Sequence, residues 1–355
     1  MSAIVGSAPY LYVCTRFRVR RMKLIPQEEY LRMLQMSLPE IIRLIQETEY
    51  KREIDELSHS FRGIDLIEVA LSWNLAKTYQ KVLEIMPEGL REMTESYLRR
   101  WDIQNVLAIL RGKAQGLPPG KIKEVLIPAG ELDRDYLDKI ITCAEPGKVL
   151  ESLKRWRLYP VLARELPRAT ESGSFSFLEN ELYKQFYHDI LDETGAGIKG
   201  GKEFLEFLRL EIDIRNLQIL FRLRVNGAKG EVVTFFIPGG TFTVEELVRL
   251  HETSSTDAFF DSLTAQLKNR ELISLLGRFR QKNGLVPGAL HEIENALTLM
   301  QYSRLEMMAR FHSFSIWPIL AYIERKKQEI TNLRAITRGK QAGLPTEQIR
   351  NYLVM

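Results

Sequence analysis

The sequence predicts an all-α fold made of three related helical units. Apolar residues recur with a helical period, a signature of acidic, Asn and Arg residues occurs three times, and the best strand candidate is weak. That candidate, residues 232–237, has a counterpart in the first unit, residues 122–127, which contains Lys123 and Glu124 and is typical of a helix. The clearest helical stripe is Phe204, Leu208, Ile212 and Ile219, at spacings of four, four and seven.

The repeated signature combines an acidic residue, an Asn three positions later and an Arg six positions after the Asn. After the Arg, the first and third copies continue almost identically, as RGKAQGLP and RGKQAGLP, and Gly112, Gly227 and Gly339 are the predicted helix stops. The Asn residues are 111 and 116 positions apart, so three units account for nearly the whole chain. The copies are Asp102, Asn105 and Arg111; Asp213, Asn216 and Arg222; and Glu329, Asn332 and Arg338.

Two further marks support this register. A Glu precedes each signature acid by 34 or 35 positions, at Glu68, Glu179 and Glu294. An Ile-Pro element occurs at Ile25, Ile127 and Ile237, but none follows the third signature. The first element can therefore complete the last unit.

This count predicts three lobes related by a pseudo-threefold axis and closed into a ring or funnel. The predicted lobes are residues 1–125, 126–236 and 237–355, which form one cooperative body. An open superhelical solenoid is the alternative arrangement.

The signature residues are predicted to be mainly structural. The acid and the Asn share one helix face, whereas the Arg lies near the carboxyl end, where a cation favourably opposes the helix dipole. We expect the signature to dock its helix against the helix that carries Glu68, Glu179 or Glu294. Direct contact with a partner protein is the alternative role.

Composition excludes several classes of protein. The 50 Lys and Arg residues against 46 Asp and Glu leave a net charge of +4, too small for a dedicated nucleic-acid binder. The two cysteines, Cys14 and Cys143, form no CxxC pair, so neither a disulfide framework nor a cysteine zinc site is expected. The longest uncharged apolar stretch, residues 314–323, is far below the roughly 20 residues of a membrane span. A cytoplasmic protein fits best.

No catalytic, cofactor or metal site is predicted. Residues 195–200 read GAGIKG, a literal GxGxxG, but the segment before them is predicted to be helical rather than a strand, so a helix-to-helix loop is expected. The five histidines form no HExxH motif, and no GxSxG elbow occurs. The sequence also lacks a DDxxD motif, which argues against an all-α enzyme.

A basic run near the amino terminus is the candidate partner interface. Its cations, interleaved with Phe17, Val19 and Met22, cover more than one helix face. They form either an ordinary solvated surface or a dock for an acidic partner, because long cationic side chains steer association through the summed field. The run consists of Arg16, Arg18, Arg20, Arg21 and Lys23.

The sequence resembles the C subunits of the archaeal and bacterial A/V-type ATP synthases and their eukaryotic relative, the d subunit of the V-ATPase. The resemblance covers essentially the whole chain: the three acid-x-x-Asn segments, the RGKxxGLP tails, the Ile-Pro elements, and the opening from Tyr12 to Arg20 followed by Leu24 and the TEY of residues 48–50. One departure is Glu329, where the other two copies have Asp.

The resemblance implies a funnel-shaped, all-helical, non-catalytic component of the central rotor that takes part in ATP synthesis and ion transport. It implies a base on the cytoplasmic face of the membrane proteolipid ring, and a mouth that receives the D and F proteins of the shaft. The protein would be monomeric within the complex, peripheral to the membrane through the ring alone, and without nucleic acid or cofactor. The competing interpretation is a helical-repeat scaffold that binds a peptide or nucleic acid in a concave groove.

Overall fold

The computed structural model describes residues 8–143, 145–194, 200–228, 230, 232–267, 270–281 and 287–355. Over these ranges the regular elements are helices, with no strand, which confirms the all-α prediction. The α-helices are α1 Ala8–Arg21, α2 Gln27–Met33, α3 Leu38–Gln46, α4 Lys51–Leu57, α5 Gly63–Glu84, α6 Glu88–Leu98, α7 Arg100–Ala114, α8 Pro119–Glu124, α9 Arg134–Thr142, α10 Pro146–Ser152, α11 Tyr159–Ser172, α12 Ser176–Glu193, α13 Gly201–Val225, α14 Val244–Glu252, α15 Thr256–Gln266, α16 Arg270–Gln281, α17 Pro287–Phe311, α18 Trp317–Gln341 and α19 Thr346–Asn351.

The weak strand candidate is helical in both copies. Residues 232–235 form a short 3₁₀-helix, Val232–Phe235, and the counterpart segment, residues 122–127, begins with the last three residues of α8. Within the GxGxxG stretch, residues 195–199 lie outside the described residues, and α12 precedes them as a helix. None of the described helices is long and apolar enough to span a bilayer.

The predicted helix stops at Gly112 and Gly339 were wrong, because both glycines lie inside their helices. α7 and α18 end two residues later, and Gly116 and Gly343 adopt the left-handed conformation instead, with φ of 68° and 67°. Gly227, with φ of 60°, does follow the end of α13.

Two hydrophobic clusters form the core. The larger joins the amino-terminal helices, the middle of the chain and α18, and the smaller surrounds the second half of α13 with α14 to α17. α13 contributes to both, through residues such as Phe207 and Phe221. α18 is buried on nearly all sides and packs against α1, α2, α3, α5, α17 and α19. The lobe boundaries at 125/126 and 236/237 stay a prediction.

Candidate functional site

Each signature Asn binds one backbone residue through two hydrogen bonds. Asn105 Nδ2 donates to the Ile127 carbonyl, and Asn105 Oδ1 accepts from the Ile127 N–H, both at 2.8 Å. A side-chain amide offers a donor and an acceptor side by side, which an aspartate does not. The same pair of bonds joins Asn216 to Ile237 at 2.7 and 2.8 Å, and Asn332 to Val354 at 3.0 and 2.9 Å.

The signature acids accept hydrogen bonds from the backbone that follows. Asp102 accepts from the N–H groups of Glu131 and Leu132 at 2.8 and 3.1 Å. Asp213 accepts from Thr241 and Phe242 at 2.7 and 3.3 Å. The first two copies therefore hold the same loop, which runs from the Ile-Pro element to the next helix.

Glycine is required where this loop passes the carboxylate. A Cβ on Gly130 would lie 2.2 Å from Asp102 Oδ1, and one on Gly240 would lie 2.3 Å from Asp213 Oδ1. Burial raises the pKa of Asp102 to about 7, against the opposing effect of its two N–H donors, and burial likewise raises the pKa of Asp213.

The third copy is completed by both ends of the chain. Glu329 accepts from the Ile25 N–H and from the Tyr50 hydroxyl, both at 2.6 Å, while Asn332 binds Val354 near the carboxyl terminus. The first Ile-Pro element thus contacts the third signature through its acid alone. Val354 occupies the place that Ile127 and Ile237 have in the other copies.

The signature Arg residues reach from one unit to another. Arg111 pairs with Glu179 of α12 at 2.6 Å, and Arg222 pairs with Glu294 of α17 at 2.5 Å. Arg338 returns to Glu68 of α5 at 2.5 Å. Each Arg therefore binds the Glu that precedes the following signature, and the third binds the first. Within each signature, the Arg contacts a Glu-bearing helix, whereas the acid and the Asn bind loop backbone.

A second set of cations, two positions after each signature Arg, was missed in the sequence. Lys113 donates to the Ile141 carbonyl at 2.7 Å, Lys340 donates to the Leu34 carbonyl at 2.6 Å, and Arg224 reaches the carbonyls at the end of α14. These cations cap the carboxyl ends of α9, α2 and α14, where free carbonyls favour positive charge. The repeated basic residue at this spacing was the signal in the sequence.

A buried group of charges joins the three signature helices. Two positions before each signature acid stand Arg100, Glu211 and Lys327. Arg100 Nη2 lies 2.6 Å from Glu211 Oε1, and Lys327 Nζ lies 3.2 Å from Glu324 Oε2. Tyr97 donates to Glu324 at 2.7 Å. Burial is the largest single influence and acts to raise the pKa of Glu211, but the charges of Arg100, Arg215 and Lys327 together lower it.

In this group the two carboxylates of Glu211 and Glu324 lie among three cations, Arg100, Arg215 and Lys327. Among the residues that the structure describes, no group of three or more His, Cys, Asp or Glu side chains is placed to hold a metal ion. The arrangement holds helices together.

The predicted basic interface lies on α1 and the turn that follows it. Arg16, Arg18 and Lys23 are exposed, and Arg20 and Arg21 are half-buried. Two clefts flank the helix, one on each side. The cations of the run form no contact with the signature residues within the described part of the chain, and none of them is buried in the core.

Comparison with known proteins places these features in one family. The family model of the ATP synthase (C/AC39) subunit matches residues 13–352. The C subunit of the A-type ATP synthase of Methanosarcina mazei is 34% identical over 99% of this chain and 94% of its own length. The proteins of the same name from Archaeoglobus fulgidus and Haloferax volcanii are 32% and 33% identical, over 98% and 100% of this chain and 97% and 100% of their own lengths.

Proposed function

Because the chain belongs to the ATP synthase (C/AC39) subunit family, we propose that it is a non-catalytic central-stalk component of an A/V-type ATP synthase. It acts as a socket between the membrane proteolipid ring and the D and F proteins of the shaft. Torque passes through it in either direction, coupled to ATP synthesis or hydrolysis. It lies on the cytoplasmic face of the membrane and is held there through the ring.

The contact between Arg338 and Glu68 is the observation that carries this proposal. It ties the third signature helix to α5, 270 positions earlier, and makes the three Arg–Glu pairs a closed cycle. A body that transmits torque must resist shear between its parts. In a closed cycle each unit is tied to both of the others, so no unit can separate from its neighbour at an open end. We therefore infer three lobes about a pseudo-threefold axis, shaped as a funnel.

The alternative, a helical-repeat scaffold with a concave groove, is less well supported. Open solenoids contact only neighbouring repeats and carry a cap at each end. Here Val354 and Ile25, from the two ends of the chain, both bind the third signature.

Reconstitution tests the proposal. Detergent-solubilised proteolipid ring and purified D–F shaft are mixed with and without the chain, and co-elution is followed by size-exclusion chromatography. We expect the ring and the shaft to elute together only when the chain is present. Ring and shaft that assemble equally well without it would contradict the socket role.

A charge reversal tests the closed cycle in the same assay. Arg338→Glu places a carboxylate against Glu68 and is expected to weaken assembly. Arg350→Glu, at an exposed cation on α19, carries the same charge change and is the matched control. If the two variants assemble equally well, the closed cycle of Arg–Glu pairs is not needed for the socket role.

A further inference from the structure

We propose that the α1 surface, defined as residues 11–23 with the two clefts beside them, docks an acidic protein segment that also carries an apolar side chain. The partner is a protein rather than a lipid bilayer or a free phosphate. This inference rests on the proposed function in one respect, which is that we expect the partner to be another subunit of the ATP synthase.

The larger cleft concentrates positive charge. Its volume is about 560 Å³, and its lining contains seven Lys or Arg side chains against two Glu. Four of the seven, Lys23, Arg52, Lys77 and Lys326, form ion pairs with Glu side chains. Among the residues that the structure describes, the three lining cations without an ion pair are Arg16 and Arg20 of α1 and Lys81 of α5.

The smaller cleft, of about 310 Å³, lies on the opposite face of the same helix. Phe17, Arg18, Arg21 and Met22 line one wall, and Arg310 lies on the other. It combines apolar and basic side chains, so one apolar group flanked by carboxylates would fit it. α1 therefore forms a ridge with a basic cleft on each side.

Three α1 arginines keep their charge available to a partner. Within the part of the chain that the structure describes, the α1 surface forms ion pairs through Arg21 with Glu306 and through Lys23 with Glu49. The remaining cations contact rings or neutral oxygens: Arg16 lies over Tyr12, Arg18 over Phe314, and Arg20 bonds to Tyr322. A guanidinium that lacks a carboxylate can bind one through two parallel bonds.

Exposed apolar side chains are concentrated at the same place. Among the residues that the structure describes, twelve large apolar side chains are exposed, and six of them lie in residues 11–22 and 311–314. Met22 is 86% exposed and Phe314 is 54% exposed. Aromatic residues, Met and Arg together are typical of the buried centre of a protein interface.

The shape of the surface favours a protein over a membrane. A flat bilayer would touch the ridge but could not fill clefts on both sides of it. An acidic segment with protruding side chains fills both, and its carboxylates meet the three arginines. A phosphate ion would use the charge but leave Met22 and Phe314 exposed.

A charge-reversal pair tests the proposal on the full-length chain. Arg16→Glu/Arg20→Glu is compared with Lys148→Glu/Arg155→Glu, which makes the same charge change at exposed positions elsewhere. Binding to purified D–F shaft and to solubilised ring is measured by biolayer interferometry at several salt concentrations. We expect the α1 variant to bind one of them at least tenfold more weakly, with a flatter salt dependence, and the control to bind within twofold of the unmodified chain.

A second variant and a lipid arm separate the alternatives. Met22→Asp, at a side chain in solvent, should weaken the same interaction without lowering the unfolding temperature. If both α1 variants bind shaft and ring normally, this inference is wrong and the proposed function stands. If they lose only sedimentation with vesicles that contain phosphatidylglycerol, the surface binds lipid and the inference is again wrong. If the unmodified chain binds neither shaft nor ring, the proposed function fails too.

Discussion

The guanidinium of Arg338 binds both carboxylate oxygens of Glu68, with Nε to Oε1 at 2.5 Å and Nη2 to Oε2 at 3.0 Å. Arg334, one turn earlier, places its Nε 3.0 Å from the same carboxylate. Glu68 is 9% exposed, whereas Glu179 in the equivalent pair is 33% exposed. The carboxylate of the closing pair is therefore the better shielded of the two, and it pairs with two arginines.

Removal of the Glu68 carboxylate should destabilise the protein more than removal of Glu179. Glu68→Ala leaves the largely buried Arg334 without its carboxylate, and we expect a loss of about 2–4 kcal/mol in the free energy of unfolding. Glu179→Ala, in a more exposed pair, should cost about 1 kcal/mol or less. Urea denaturation measures both. Equal costs would mean that the closing pair has no special place in the fold.

The two glycines inside the signature helices should not tolerate a methyl group. A Cβ on Gly112 would lie 2.7 Å from Ile122 Cγ1, and one on Gly339 would lie 2.6 Å from Ile349 Cγ1. Because these isoleucines are buried, each Gly→Ala variant should lose about 1–3 kcal/mol. Gly120→Ala is the control, since a Cβ there meets open space and helix propensity favours alanine. A stability gain in all three variants would refute the close contact.

Burial of Asp102 should make stability fall as pH rises towards neutrality. Its pKa is about 7 when folded and about 3.9 in an unfolded chain, so between these values the folded state holds a proton that the unfolded state has released. This contribution is fully present below about pH 4 and is lost as pH rises through 7. Relative to Asp102→Asn, the unmodified protein should lose up to about 1.4 kcal/mol per pH unit between pH 5 and 7.

Guanidinium denaturation at pH 5, 6 and 7 measures this difference. Asp135→Asn, at an exposed position on α9, controls for the loss of one carboxylate. If the free energies of unfolding of the unmodified protein and Asp102→Asn differ by the same amount at all three pH values, Asp102 remains ionised in the folded protein.

Shortening the carboxyl terminus by two residues should destabilise the third unit. Deletion of Val354 and Met355 removes the N–H and the carbonyl that bind Asn332, and leaves a buried amide unsatisfied at a cost of about 1–3 kcal/mol. Deletion of Met355 alone keeps both bonds and should cost much less. Differential scanning calorimetry compares the two, and identical unfolding temperatures would refute the role of Val354.

The fold class and the threefold register could be read from the order of residues alone. Helical periodicity is a local property, and the spacing of Asn105, Asn216 and Asn332 can be counted without knowing where any atom lies. The recurring Glu and Arg could also be counted in the sequence, but the spacing did not show that each Arg binds the Glu of the following unit. The missed cations at Lys113, Arg224 and Lys340 carried the same kind of signal.

The tertiary structure alone showed which atoms the signature residues bind. Asp102 and Asn105 contact loop backbone, which has no side-chain pattern to read, and Val354 replaces an Ile-Pro residue without resembling it in sequence. The buried group was invisible for a related reason. Where the signature helices come together, the equivalent positions hold Arg100, Glu211 and Lys327, so the residue type is not repeated and Arg100 can pair with Glu211. Repetition along the sequence reveals what the three units share, whereas a contact such as Arg100–Glu211 depends on a position at which the units differ, because opposite charges attract.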